Sequence, residues 1–136
     1  MTVAYLDLDD FKTVNDTLGH EAGDDLLRTI VELMQANIRP ADMLARTGGD
    51  EFVLMFPETD YVGGGEVLRR LHSKIQSEIT RSGWPISCSL GAITFNVLPS
   101  SPDALVKRAD ELMYSVKRSG KGNLKHEQWP AAPGSA

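Results

Sequence analysis

The chain has 136 residues, of which 41% are hydrophobic and 24% charged, a composition that fits one globular domain and excludes a disordered chain. Its net charge of -5 argues against DNA as a partner, because surfaces that bind a duplex need an excess of Lys and Arg. No apolar stretch is long enough to span a bilayer, and the single cysteine, Cys88, cannot form an internal disulfide. We therefore expect a cytoplasmic domain, although its parent protein could be anchored to a membrane.

The first half of the chain predicts a strand, a helix and a hairpin. The short apolar run Val3–Leu8 indicates a buried strand, and it ends in a cluster of acidic residues. From Ala22 onward, apolar residues recur at helical spacing until Pro40 ends the helix. Met43–Arg46 and Glu51–Phe56 flank a Gly-Gly pair, which predicts a β-hairpin because glycine tolerates the positive φ angles of a tight turn.

The second half predicts two more helices and two more strands. One helix runs from about Asp60 to Arg81, and the segment Ile86–Phe95 indicates a strand. Ser101 before a proline starts the last helix, and Gly120 suits its C-terminal cap. Asn123–His126 is expected to form an edge strand.

The resulting order β, α, β, β, α, β, α, β predicts an α+β fold. We expect a mixed, largely antiparallel central sheet flanked by helices, with a ferredoxin-like core. The domain is expected to span residues 1–126. Residues 127–136 contain two prolines, a glycine and small residues, which predicts a disordered tail.

Carboxylates are concentrated at two places that this fold brings together. Asp7 and Asp9 end the first strand, while Asp50 and Glu51 follow the Gly-Gly pair of the hairpin. If the hairpin pairs beside the first strand, Asp7, Asp50 and Glu51 converge, and close carboxylates repel unless they share protons or bind a cation. Hard oxygen ligands suit Mg²⁺. On these residues alone the alternative stays open that they are solvated loop charges.

Several segments together resemble the GGDEF diguanylate cyclases. Residues 48–52 read Gly-Gly-Asp-Glu-Phe, the motif that names the family. The segments at residues 7–12, 15–24, 89–91 and 107–114 also resemble the family in order and spacing, over about residues 3–123. The resemblance implies a fold similar to the nucleotidyl cyclases and the polymerase palm. It also implies an activity, the condensation of two GTP molecules into cyclic di-GMP and two pyrophosphates.

The resemblance implies a catalytic centre with Mg²⁺ or Mn²⁺ as its cofactor. Asp7, Asp50 and the Leu8 carbonyl would bind the metal. Glu51 would be a further ligand or would help to remove the proton from the attacking 3′-hydroxyl. The base is placed on either acid of the Asp50–Glu51 pair.

The resemblance also assigns the nucleotide. Asn15 and Asp24 would hydrogen-bond guanine, with His20 close by. A carboxylate accepts both donors of the guanine pairing edge, whereas adenine offers no such pair. The residues that would hold the phosphates are Asp10, Phe11, Lys12, Arg46, Lys117 and Lys121. Without the resemblance, Lys117 and Lys121 would be read as charges that favour the C-terminus of a helix.

A second site is implied by Arg39 and Asp42, which lie before the Gly-Gly pair at the distance of the family's Arg-x-x-Asp product-inhibition motif. Arg70 would add a contact with bound cyclic di-GMP. Apart from the resemblance, the same residues are typical of a helix end, since Pro40 follows Arg39.

The family also implies partners. Two domains must face each other, so a homodimer is expected, and a sensory domain is expected in a longer parent protein. The family's segment before the first strand is absent from this sequence, which suggests a fragment or a short form. Two alternatives remain: a non-catalytic module that binds GTP or cyclic di-GMP, and an inert structural fragment.

Overall fold

The computed structural model describes residues 1–130. Five strands and four helices follow one another in the order β1 (Thr2–Asp9), α1 (Phe11–Leu18), α2 (His20–Ala36), β2 (Met43–Arg46), β3 (Glu51–Phe56), α3 (Tyr61–Ser82), β4 (Ser87–Phe95), α4 (Pro102–Ser119) and β5 (Leu124–Trp129).

The strands form one mixed sheet in the order β2-β3-β1-β4-β5. The central strand, β1, is antiparallel to both β3 and β4, and β2 is antiparallel to β3. Only the last pair, β4 and β5, is parallel. The α+β prediction with a mixed central sheet flanked by helices is confirmed.

The two faces of the sheet are covered unequally, because alternate residues of β1 point to opposite sides. Helices α1, α2 and α3 pack on one face, over a large cluster of eighteen buried residues that includes Leu6 and Leu8. Helix α4 packs on the other face, over a small cluster of nine buried residues that includes Val3 and Tyr5. Cys88 lies fully buried in the large cluster, and this burial raises the pKa of its thiol.

Two features of the helices differ from the prediction. Helix α1 was not predicted, and α2 runs from His20 to Ala36 rather than from Ala22 to Pro40. Helix α1 has eight residues and buries only Val14, so it lacks the repeated apolar spacing by which a longer helix is recognised. Gly19, with φ 89°, separates the two helices. None of the helices in residues 1–130 is both long and apolar enough to cross a membrane.

The C-terminal boundary also differs. Strand β5 starts one residue later than predicted and continues to Trp129, because its backbone pairs with β4 as far as Phe95. The Trp129 ring packs edge-on against the Phe95 ring, with a centroid distance of 6.2 Å. The first three residues of the predicted tail are therefore part of the sheet. Residues 131–136 of that tail lie outside the described residues.

Gly91 in β4 allows α4 to approach the sheet closely. A Cβ atom at this position would lie 2.5 Å from the backbone nitrogen of Met113 and 2.7 Å from its Cα. Both atoms belong to the helix backbone, so a rotamer change cannot relieve the clash. Helix α4 carries Lys117, so the same contact sets the height of this lysine above the sheet.

We expect Gly91→Ala to lower the free energy of unfolding by about 2–4 kcal/mol, because the added methyl group forces α4 away from β4. Chemical denaturation measures the change. Gly65→Ala is the control, since its Cβ would meet only the flexible Arg69 side chain at 3.0 Å, and alanine favours a helix. Equal stability of the parent chain and Gly91→Ala would contradict the close packing.

Candidate active site

The register of the sheet brings together the acidic residues that the sequence singled out. Asp7 of β1 pairs directly with Glu51, the first residue of β3. One residue further, the Leu8 N–H donates to the Asp50 carbonyl at 3.1 Å, which fastens the Gly-Gly turn to the end of β1. The predicted convergence of Asp7, Asp50 and Glu51 is thus present in the backbone. Asp50 and Glu51 are half-buried, not fully exposed as a free turn would be.

Asp7 is a buried carboxylate with only one of its oxygens bonded. Its side chain accepts from the Lys117 ammonium through Oδ2, while the buried Oδ1 has no partner among the described residues. Burial raises the pKa of Asp7 to about 6; Lys117 opposes this rise, and the charges of Asp50 and Glu51 add to it. The centre therefore carries more negative charge than one lysine offsets.

The donor set fits a divalent cation in its chemistry. The available ligands are carboxylate and carbonyl oxygens, and Asp7 Oδ1 is a buried acceptor without a donor. Among residues 1–130, no three His, Cys, Asp or Glu side chains are already arranged around a metal position. In this state the positive charge beside Asp7 comes from Lys117.

The link between β1 and α1 has the geometry of an anion site. Asp10 has φ 60°, and its side chain caps none of the N–H groups in the first turn of α1. The N-terminus of a helix attracts anions through these free N–H groups, which belong here to Phe11 and Lys12. The Lys121 ammonium lies 2.8 Å from Asp10 Oδ1, so a second lysine stands at the same place.

Asn15 and Asp24 are neighbours across the junction of α1 and α2. A Cβ atom at Gly23 would lie 2.0 Å from Asn15 Oδ1, so only glycine allows the Asn15 amide to lie against α2. Asp24 follows directly. It borders an open cleft of about 410 Å³, here called the α2 cleft, which is lined by Asp24, Leu27, Arg28, Val31, Glu32, Arg46 and Phe52. His20 is exposed at the start of α2.

Comparisons with known proteins agree with this geometry. The sequence profile described as diguanylate cyclase, GGDEF domain, matches residues 1–123. The chain belongs to the GGDEF family. It is 38% identical over 127 residues to the diguanylate cyclase DgcP of Pseudomonas aeruginosa, covering 91% of this chain and 19% of DgcP. It is 32% identical over 136 residues to the diguanylate cyclase DosC of Escherichia coli, covering 97% of this chain and 29% of DosC.

Solved GGDEF structures share the fold. The GGDEF domain of DgcB from Caulobacter crescentus, in complex with c-di-GMP, superposes with a TM-score of 0.80 at 30% identity, covering 92% of this chain and 76% of that one. Diguanylate cyclase SiaD from Pseudomonas aeruginosa, in complex with its activator SiaC, gives 0.82 at 34% identity, covering 92% and 49%. The palm-like nucleotidyl cyclase fold is therefore confirmed. The chain spans less than a third of the length of these two curated relatives.

Arg46 braces the turn of this GGDEF domain. Its Nε donates to the Gly48 carbonyl at 3.0 Å, and Nη2 donates to the Gly49 carbonyl at 2.7 Å. The contact between Arg46 and the triphosphate that the family resemblance implies stays a prediction. In the structure the guanidinium holds the Gly-Gly backbone in place and also borders the α2 cleft.

Tyr5 is a site residue that the sequence analysis did not identify. Its hydroxyl donates to Glu51 Oε2 at 3.3 Å and lies 3.4 Å from the Thr47 hydroxyl, so it contacts both ends of the turn. The bond with Thr47 lowers the pKa of Tyr5, but burial and the nearby charge of Glu51 outweigh it and raise the pKa. The sequence feature that could have identified Tyr5 is the two-residue period of a strand, which puts Tyr5 on the same face as Asp7.

Arg39 and Asp42 form a closed turn between α2 and β2. The Arg39 N–H donates to Asp42 Oδ2 at 2.8 Å, and the Asp42 N–H donates to the Arg39 carbonyl at 2.9 Å. The Arg39 guanidinium donates to the Thr59 hydroxyl at 3.0 Å. Arg70 of α3 donates to the Asn37 carbonyl at 3.4 Å, at the end of α2. Arg39 and Asp42 border a shallow cleft of about 360 Å³, whereas Arg70 is not among the residues that line it.

Proposed function

We propose that this domain is a diguanylate cyclase that condenses two GTP molecules into cyclic di-GMP and two pyrophosphates. The observation that carries the proposal is the convergence of Asp7, Asp50 and Glu51 in the backbone register of β1 and β3, together with a buried Asp7 oxygen that lacks a donor. Membership of the GGDEF family supports the same reaction.

In this proposal the chain holds GTP at both ends. Asp24 and Asn15 accept and donate hydrogen bonds at the guanine edge, with His20 beside them. The backbone of residues 10–12, with the free N–H groups of Phe11 and Lys12, and the ammonium groups of Lys117 and Lys121 bind the phosphates. Both lysines lie at the end of β1, where Lys117 contacts Asp7 and Lys121 contacts Asp10. A triphosphate bound there would replace these carboxylates as the anionic partner of each lysine.

Two equivalent chemical steps are needed: the 3′-oxygen of one GTP attacks the α-phosphorus of the other, and the reciprocal attack then closes the ring. In each step the bond from the attacked phosphorus to the bridging oxygen breaks, and pyrophosphate leaves. The Asp50–Glu51 pair takes the proton of the hydroxyl, with Glu51 oriented by Tyr5. Held by Asp7, Asp50, Glu51 and the Leu8 carbonyl, Mg²⁺ or Mn²⁺ would neutralise phosphate charge and lower the pKa of the 3′-hydroxyl.

Each domain supplies one GTP, so the reaction needs two domains face to face. We place the domain in the cytoplasm, as part of a longer protein whose sensory domain controls the pairing. The short share of each curated relative that the chain covers supports such a larger architecture.

We expect the chain, incubated with GTP and Mg²⁺, to form cyclic di-GMP, at an initial rate that rises faster than linearly with protein concentration. Chromatography of the nucleotides measures both. At concentrations where most of the protein is monomeric, a twofold increase in protein concentration should raise the rate about fourfold, because the active dimer forms by mass action. Binding of GTP without turnover would favour the alternative of a non-catalytic signalling module. A strictly linear rate in a monomeric protein would contradict the need for two domains.

We further propose that cyclic di-GMP binds at Arg39, Asp42 and Arg70 and inhibits the enzyme. Arg39 can donate two parallel hydrogen bonds to a phosphate, and Asp42 can accept from guanine. This site is separate from the carboxylate centre, so inhibition is expected to be non-competitive with GTP.

We expect Arg39→Ala to weaken cyclic di-GMP binding at least about tenfold, in line with the loss of a charge-assisted pair, and to leave GTP binding unchanged. Calorimetric titration of cyclic di-GMP gives the affinities. Arg81→Ala is a matched control, because Arg81 is an exposed arginine of α3 that pairs with Glu78. If the parent chain and Arg39→Ala bind cyclic di-GMP with equal affinity, the turn does not bind the product and serves only to end α2.

A further inference from the structure

Asp9 has the same sequence features as Asp7 but a different environment. The two alternate along β1, face the same side of the sheet and are almost fully buried. Asp7 Oδ1 has no partner, whereas both oxygens of Asp9 are bonded. A cation ligand needs free lone pairs, which Asp7 offers. At Asp9, Oδ2 is surrounded by three donors, and Oδ1 shares one of them, the Ser89 hydroxyl, so a cation at Oδ2 would have to displace existing bonds.

The donors to Asp9 come from two other parts of the fold. Ser87 Oγ donates to Oδ2 at 2.8 Å, and Ser89 Oγ lies 2.7 Å from Oδ2 and 2.9 Å from Oδ1. The Gly122 N–H lies 3.1 Å from Asp9 Oδ2 and 3.1 Å from Ser89 Oγ. One carboxylate thus joins β1 and β4 to the turn between α4 and β5.

That turn fits against β4 only as glycine. Gly122 has φ 81°, in the left-handed region, and a Cβ atom there would lie 3.2 Å from Ser87 Cβ. Ser87 and Ser89 therefore both connect Asp9 to the turn, because each of them contacts the Asp9 carboxylate and also lies against Gly122.

The turn is flanked by the two lysines of the site. Lys121 directly precedes Gly122 and contacts Asp10, while Lys117 ends α4 and contacts Asp7. The Lys117 ammonium is 3.9 Å from Asp9 Oδ1, a charge contact beyond hydrogen-bond distance. Fastening the turn at Gly122 therefore fixes the chain from which both ammonium groups reach the end of β1.

We propose that Asp9 is a positioning residue, not a metal ligand: its carboxylate clamps the α4–β5 turn through Ser87, Ser89 and the Gly122 N–H, and thereby sets Lys117 and Lys121 to receive the triphosphate. The inference rests on the proposed function for the role of the lysines. The clamp itself is a property of the fold and can be tested without nucleotide.

The experiment compares Asp9→Ala, Asp9→Asn, Ser89→Ala and the control Ser115→Ala in the full chain. Ser115 is a serine of α4 that instead accepts from Lys125. NMR hydrogen exchange of the Gly122 amide, without nucleotide, reports the clamp. Steady-state kinetics with GTP at several Mg²⁺ concentrations report its effect on the site.

In Asp9→Ala and Ser89→Ala we expect exchange at Gly122 to accelerate at least about tenfold and the KM for GTP to rise about tenfold, with kcat within about threefold. Asp9→Asn should restore most of both, because its amide oxygen still accepts from Gly122 and its NH₂ group can donate to a serine. The Mg²⁺ concentration for half-maximal rate should stay unchanged in all variants, and Ser115→Ala should match the parent chain.

Two results would overturn the proposal. One is an Asp9→Asn variant as inactive as Asp7→Asn with a raised Mg²⁺ requirement, which would make Asp9 a metal ligand. The other is unchanged Gly122 exchange or unchanged KM in Asp9→Ala. Should Asp9→Ala fail to fold, Ser89→Ala and Ser87→Ala carry the same comparison. A parent chain without GTP turnover would refute the proposed function, while exchange at Gly122 would still decide whether the clamp exists.

Discussion

Asp7→Asn is expected to lower diguanylate cyclase activity by at least about 10³-fold while the domain stays folded, an effect of the size seen when one essential catalytic group is removed. Asparagine keeps the shape of the side chain but removes the negative charge that pairs with Lys117 and that would bind the cation. Measured turnover of GTP at saturating Mg²⁺ gives the loss, and a thermal melt verifies the fold.

The stability of the metal-free domain provides a second readout for this variant. Folding raises the pKa of Asp7 from 3.8 to about 6, so the folded state favours the protonated form. In a chelator the parent chain should therefore lose stability as the pH rises from about 4 to above 6, and Asp7→Asn should lose less. Asp16→Asn, at an exposed position of α1, is the control. Full activity in Asp7→Asn would refute the assignment of the site.

Asp24→Ser is expected to reduce the preference for GTP over ATP by at least about 100-fold, because a site built to accept two guanine donors rejects a base without them by about 10⁴ or more. Serine can both donate and accept, so either base could be satisfied in part. The preference is the ratio of kcat/KM for consumption of the two nucleotides.

The matched control is Asp25→Ser, which changes the next residue of the same helix. Asp25 pairs with Arg28 at 3.0 Å on an exposed surface. Its replacement should leave the nucleotide preference within about threefold, as expected for a surface pair. The same change of preference in both variants would assign it to the overall charge of α2. Equal use of GTP and ATP by the parent chain would contradict a guanine site at Asp24.

The predictable parts of the fold are those with a clear pattern of apolar residues or with a Gly or Pro residue that ends the element. Strand β3 and helix α3 were predicted almost to the residue, because β3 is an unbroken apolar run after the Gly-Gly pair and the apolar residues of α3 recur at helical spacing. Helix α1 was missed because it buries a single side chain, and its stability comes from packing against α2. The continuation of β5 to Trp129 depends on pairing with β4, a contact between distant parts of the chain that local composition does not encode.

The site was predictable as a set of residues and much less so as a set of contacts. The pattern of acids gave Asp7, Asp50 and Glu51, and the register of β1 and β3 brings them together. The same pattern gave no means to separate Asp7 from Asp9, since only the fold brings Gly122 to Asp9. The bond from Tyr5 to Glu51 likewise joins two strands, so its partner could not be named from the sequence.

The unequal covering of the sheet has a consequence for how the domain moves. The residues of α1 and α2 rest on the large cluster, whereas α4 rests on a cluster half that size, on the face of the sheet that also carries Tyr5 and Asp7. Segments with less buried apolar area open at a lower free-energy cost than the whole domain unfolds. We therefore expect α4, which carries Lys117, to open at a lower free-energy cost than α2 and α3, which share the large cluster. In the proposed reaction, such opening would move Lys117 away from the leaving pyrophosphate while α2, which carries Asp24, stays in place.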